Sequence, residues 1–276
     1  MTVRRTRSVR TGSGPARQAL AGLMLGLMLG LPLVGTTARA GNCTVAAEQG
    51  QVTFPVDRLD SASRCLVSSV ADNPTTSGLV GPVRTPIPQH LYEYLLDHPT
   101  LIAALVRKLG MGNYQFTNRG PNQFWGNDGD GTQGLLSLLQ REGTTRIYHI
   151  DGYHEGHIFP MVRAKAVVFL KIAQTASPDG YPAVDTSLIA YTKLNDPVLS
   201  GLVWVLRPLV GDAVTRKLTR GFDVTNQLGA AIAKNPDRII QELPTLPSVA
   251  PQEQRALTAL LQTLPPSNLS APRLTP

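Results

Sequence analysis

Cysteine is almost missing from this chain: its 276 residues include two, Cys43 and Cys65. Without a third thiol, a thiolate zinc site is disfavoured. Aromatic residues make up only 5%, and they are not interleaved with basic residues on one face, so the stacking platform that single-stranded nucleic acid needs is absent. No serine stands in a Gly-x-Ser-x-Gly elbow, which removes that class of nucleophile. No long hydrophobic run is present either. The longest, from Ala19 to Val34, is interrupted by glycines and Pro32 and falls below the roughly twenty apolar residues that span a bilayer.

Acidic residues are missing from the first forty positions, where Arg4, Arg5, Arg7, Arg10, Arg17 and Arg39 stand unbalanced. A basic n-region, the short apolar core and Ala38-Arg39-Ala40 as a small-x-small site together predict a signal peptide over residues 1–40, cleaved near Ala40. The whole-chain charge of +7 then loses its meaning, because removing those six arginines leaves twenty basic and nineteen acidic residues. An argument for nucleic acid or another acidic partner fails on that balance. Export to a periplasmic or secreted location exposes Cys43 and Cys65 to oxidation and predicts a disulfide. Such a bridge is worth about 3 kcal/mol on a loop-entropy estimate.

Residues 41–85 read as an irregular N-terminal arm pinned by that disulfide, with Asp72-Asn73-Pro74-Thr75-Thr76-Ser77-Gly78 as a loop. A domain over 86–243 comes next. Leu91, Tyr94 and Leu95 give helical spacing in Gln89 to Leu96, and Pro99 opens a second helix whose apolar stripe ends before Gly110. The period then changes from helix to strand. Short runs at Tyr114 to Asn118, Gln123 to Gly126, Gly134 to Arg141, Thr144 to Gly152, Ile158 to Ile172 and Val184 to Lys193 are separated by turn residues, which predicts an antiparallel meander. In the best of them Val162, Ala164, Ala166, Val168, Leu170 and Ile172 share the core register, and Arg163, Lys165 and Lys171 the solvent register. Apolar residues recur at helical spacing from Asp196 to Lys234, predicting a long C-terminal amphipathic helix kinked near Pro208. Another helix is expected over Asp237 to Leu243. Residues 244–276 read as a proline-containing tail, with a helix allowed over Gln252 to Leu264.

Short helices, then antiparallel strands, then one long C-terminal helix: this order over Pro86 to Leu243 resembles the START-like helix-grip proteins, the polyketide cyclase/lipid-transfer superfamily. The resemblance implies an α+β fold in which a curved antiparallel sheet packs on the long C-terminal helix, with an apolar cavity between them. It carries over no catalytic residue.

The densest polar cluster is Tyr148, His149, Asp151, Tyr153, His154, Glu155 and His157. In extended chain, His149 and Asp151 share one face and Tyr148 and His154 the other. His149 and Asp151 form a two-ligand fragment at most, matching no established metal motif, so no metal and no cofactor is expected. His149 and His154 are the candidates for acid/base work should the chain be an enzyme. Trp125-Gly126-Asn127-Asp128-Gly129-Asp130-Gly131 has alternating acids but lacks the EF-hand glycine and distal glutamate, and reads as a tight turn.

These features favour binding over catalysis: an exported protein holding an apolar, lipid-like small molecule between sheet and C-terminal helix, with transient membrane contact allowed. Trp125, Tyr148, His154, Val168, Leu170, Leu202 and Leu206 are the expected lining. An enzyme using the Tyr148 to His157 cluster, and an envelope structural or interaction protein, stay open at this point.

Overall fold

A computed structural model describes residues 43–50, 52–156, 161–178, 180–195, 217, 220 and 223–264. The expected signal peptide, the first part of the expected long helix including Leu202 and Leu206, His157, and the end of the tail lie outside the described residues. The chain divides into two units, Met1–Gly41 and Asn42–Pro276, and every described residue belongs to the second.

The centre of that unit is a seven-stranded antiparallel sheet formed by β3 (Thr76–Thr85), β4 (Gln115–Gly120), β5 (Gln123–Asn127), β6 (Thr132–Glu142), β7 (Thr145–His154), β8 (Val162–Ala176) and β9 (Pro182–Leu194), in the order β3-β9-β8-β7-β6-β5-β4. The last six follow the predicted meander. The first does not: Thr76–Thr85, read from sequence as loop and arm, is an edge strand paired with β9. Its apolar alternation is broken by Gly78, Gly81 and Pro82, and its register shifts between Val80 and Val83, so no period-two signal survives. A separate two-stranded ribbon joins β1 (Glu48–Gln49) to β2 (Val52–Thr53).

Helices α1 (Ser61–Ala71), α2 (Gln89–Asp97), α3 (Pro99–Lys108), α4 (described over 223–234), α5 (Pro236–Glu242) and α6 (Pro251–Gln262) complete the unit. Local chemistry sets their starts. The Asp60 carboxylate caps α1 by accepting from the Ser63 amide and hydroxyl at 2.9 and 2.7 Å, and the Asn235 side chain accepts from the Arg238 amide. Prolines open α3, α5 and α6, where their missing N–H costs nothing.

Both faces of the sheet are covered at β8 and β9. On the inner face, Val168, Leu170, Ile172, Val184, Leu188 and Ala190 share a buried cluster with side chains of α2, α3, α4, α5 and α6. The helix allowed over Gln252 to Leu264 is formed as α6, and its Leu257 and Leu261 are buried in that cluster. Helix α4 comes so close to the end of β3 that a Cβ on Gly229 would overlap Thr85 Cγ2. On the outer face, Ile147, Val167, Phe169 and Ile189 meet Phe54, Val56, Leu59, Val67 and Val70 of the N-terminal segment, with the Phe54 and Phe169 rings 5.1 Å apart. The odd register of β8, expected to face solvent, is thus half apolar and roofed by residues 54–70. The roof is tied by the Cys43–Cys65 disulfide. A disulfide points to an oxidising, non-cytoplasmic compartment.

Candidate functional site

Residues directly opposite on neighbouring strands share a face, so the register locates the inner surface of the remaining half-sheet. One inner row runs Phe124, Leu136, Ile150, Ala166, Thr192, and the next runs Phe116, Gly126, Gly134, Gly152, Ala164. The glycines let the sheet close sharply. A Cβ on Gly134 would lie 2.8 Å from the Asp151 carbonyl oxygen, and one on Gly152 would overlap that of Gln133, approaches open to no other residue. The neighbouring strands therefore rise toward the inner face along this stripe. Above it Phe116, Phe124, Leu136, Leu138, Tyr148 and Ile150 are half-buried, whereas Val167 to Leu170 of β8 are all buried.

At the end of the inner row of β7, next to Tyr148, stands Arg146, 2% exposed. Its Nη2 donates to Asp97 Oδ1 at 3.2 Å, and the same oxygen takes a 2.8 Å contact from Arg141 Nη2. Arg146 Nε and Nη1 have no acceptor among the described residues. Two phenols flank the group. Burial pushes the Tyr92 hydroxyl up to about 12, against the pull of its hydrogen bond with Thr186 and of the Arg146 charge. Burial likewise holds the Tyr148 hydroxyl well above the ordinary phenol range, with Arg146 only partly opposing it. Both therefore stay neutral, and neither supplies the missing negative charge.

The expected site residues divide. Tyr148, His154, Val168 and Leu170 take the inner register, but Val168 and Leu170 are sealed in the helix-packed core and line no open surface. Trp125 is a correction: it pairs with Leu135, which pairs with Asp151, so it occupies the outer face, its ring 6.5 Å from that of Tyr153. The polar cluster splits as its alternation requires. His149 and Asp151 point outward. His149 is buried, its Nε2 has no hydrogen-bond partner among the described residues, and burial is the first of the influences that lower its pKa. His154 Nδ1 lies 3.1 Å from Thr132 Oγ1. Among the described residues, no group of three or more His, Cys, Asp or Glu is placed to hold a metal.

Lys217 fills the centre of the acidic turn. Its Nζ donates to Asp128 Oδ2 at 2.6 Å, Asp130 Oδ2 at 2.8 Å and the Asp130 carbonyl at 3.0 Å, beside a cavity of about 120 Å³ that Tyr114 and Arg220 also line. The turn expected from Asn127-Asp128-Gly129-Asp130 is formed, with side-chain oxygens accepting from amides two residues ahead.

Sequence reasoning passed over Arg146, Asp97, Phe124 and Leu136. A signal for Arg146 is present: it alternates with Tyr148, Ile150 and Gly152, a charge in an otherwise apolar register.

No family model matches the chain, and no curated protein matches it. Among solved structures, a conserved protein from Geobacillus kaustophilus matches 56% of this chain and 93% of its own length, at 8% identity and a TM-score of 0.38.

Proposed function

We propose that this is an exported protein, periplasmic or secreted, that carries an apolar, lipid-like small molecule between the inner face of its sheet and the C-terminal helical segment, in the manner of helix-grip proteins. The observation that carries this reading is the half-buried apolar surface of Phe116, Phe124, Leu136, Leu138 and Ile150, set above the glycine stripe. Apolar area removed from water contributes roughly 25 cal/mol per Å², so a flexible hydrocarbon laid on that surface needs few polar contacts to be held. The disulfide agrees with export. Loading from a membrane surface by transient contact suits such a carrier.

The test is native mass spectrometry of protein purified without detergent, with organic extraction of the bound fraction. An apolar molecule bound in a one-to-one ratio, lost on Leu136→Arg substitution in a protein that still folds, is the expected result. Protein that carries no such molecule and takes up no lipid from vesicles overturns the reading.

A further inference from the structure

The apolar surface says nothing of the ligand's polar end, and a buried guanidinium does. Resting on the ligand-binding reading above, we propose that the ligand is an acidic amphiphile and that Arg146 receives its anionic headgroup. Arg146 is 2% exposed, yet among the described residues only its Nη2 has a partner, Asp97. That carboxylate is shared with Arg141, so two guanidinium groups draw on one negative charge. A buried charge with unmet donors is strongly unfavourable, and an incoming anion removes the deficit. A planar, delocalised cation suits carboxylate or phosphate oxygens.

Placement favours an amphiphile over a free anion. Arg146, Tyr148 and Ile150 are successive inner positions of β7, and Ile150 pairs with Leu136 and, through it, Phe124. An acid group at Arg146 thus sends its chain along β7 for about 13 Å to Ile150 and onto the apolar rows. Asp97 of α2 takes one side of the guanidinium, and Tyr148 is its neighbour along the inner row of β7. Nε and Nη1 are shielded from solvent, so a small hydrated ion has no open route. A headgroup arrives there because its hydrocarbon displaces the packing beside Tyr148.

The experiment titrates the full, delipidated chain with hexadecanoic acid, hexadecyl phosphate, hexadecanol and inorganic phosphate by calorimetry. The two acidic amphiphiles are expected to bind at least about tenfold more tightly than the alcohol, their relative affinity showing which headgroup is preferred, with inorganic phosphate unbound. Arg146→Gln is expected to abolish the advantage and Arg146→Lys to keep part of it. Equal affinity for acid and alcohol in the unaltered chain overturns the headgroup assignment and leaves the apolar carrier standing, as does an advantage that survives in folded Arg146→Gln. Should no amphiphile bind, the carrier and the anchor fall together. The comparison within the unaltered chain decides the matter even if both variants fail to fold.

Discussion

The two halves of the sheet are built to different standards. In β8 and β9 Val167 to Leu170, Ile172, Ala183, Val184 and Leu188 to Ala190 are buried, the inner face beneath five helices and the outer face beneath residues 54–70. In β4, β5 and β6 the only fully buried residue is Gly134. One half therefore holds the fold through close packing, where each lost methylene is felt. The other keeps apolar surface half-covered at some cost in stability, which is what the proposed binding would use. Arg146 sits where the halves meet, its side chain walled by the packed half and its strand leading into the open one.

Phenylalanine truncations break or sharpen this contrast most strongly. Phe169→Ala, at a site with 0% exposure between α1 and the sheet, should cost about 3–5 kcal/mol in denaturant unfolding. Phe124→Ala, half-buried in the open half, should cost about 1 kcal/mol or less while reducing uptake of the hydrocarbon probe. Equal losses of stability would mean that the two halves do the same work. Next in size is the roof. Paired Cys43→Ser and Cys65→Ser substitutions open a loop of sequence separation 22 and should lower stability by about 3 kcal/mol on the chain-entropy account. Hydrogen exchange should then quicken first in residues 54–70 and only afterwards in β4 to β6; the reverse order would detach the roof from the packed half.

Legibility in the sequence divides along the same line. Strands β4 to β9 and helices α2, α3 and α5 announce themselves through local period and capping, which one segment carries on its own. The roof is non-local: Phe54, Val56, Leu59, Val67 and Val70 are scattered apolar residues whose common purpose shows only when α1 lies across β8 and β9. The facing of Trp125 depends on parity across the turn at residues 127–131, and one displaced residue there reverses every side chain that precedes it. Arg146 is masked by the histidines near it, which carry the more familiar chemistry, whereas the stronger signal is a cation in an apolar register. The metal-like acids of the 128–130 turn have an internal cation 87 residues away in Lys217.

That cation gives the next prediction. Lys217 joins the C-terminal segment to the open half through Asp128 and Asp130, but its side chain is 35% exposed and that of Asp130 is 63% exposed, so Lys217→Met should cost no more than about 1 kcal/mol. Burial raises the Asp128 pKa, and the hydrogen bond from Lys217 with those from the Thr132 and Asp130 amides outweighs it, leaving the carboxyl below its ordinary 3.8. A depressed carboxyl stabilises above its unfolded value and loses that contribution as pH falls through the folded one. The gap between wild type and Lys217→Met should therefore hold from neutral pH to about 4 and close below it. A gap that persists in acid would assign the contribution of Lys217 to packing rather than charge.

The smallest effect belongs to the seam between the halves on the outer face. His149 is opposite Ser137 on the open side and Val167 on the packed side; Asp151 and Lys165 are the charges that act on it, after burial, which lowers its pKa from 6.5. A histidine with a lowered folded pKa takes up its proton more readily when unfolded, so stability is full above about 6.5 and declines as pH falls below it. His149→Leu should remove that decline between neutral pH and the onset of carboxylate protonation. It should also leave the affinity for an acidic amphiphile unchanged, because the proposed ligand site is on the other face of β7. A variant that keeps the slope, or that loses affinity for the amphiphile, would break the separation between the face that titrates and the face proposed to bind.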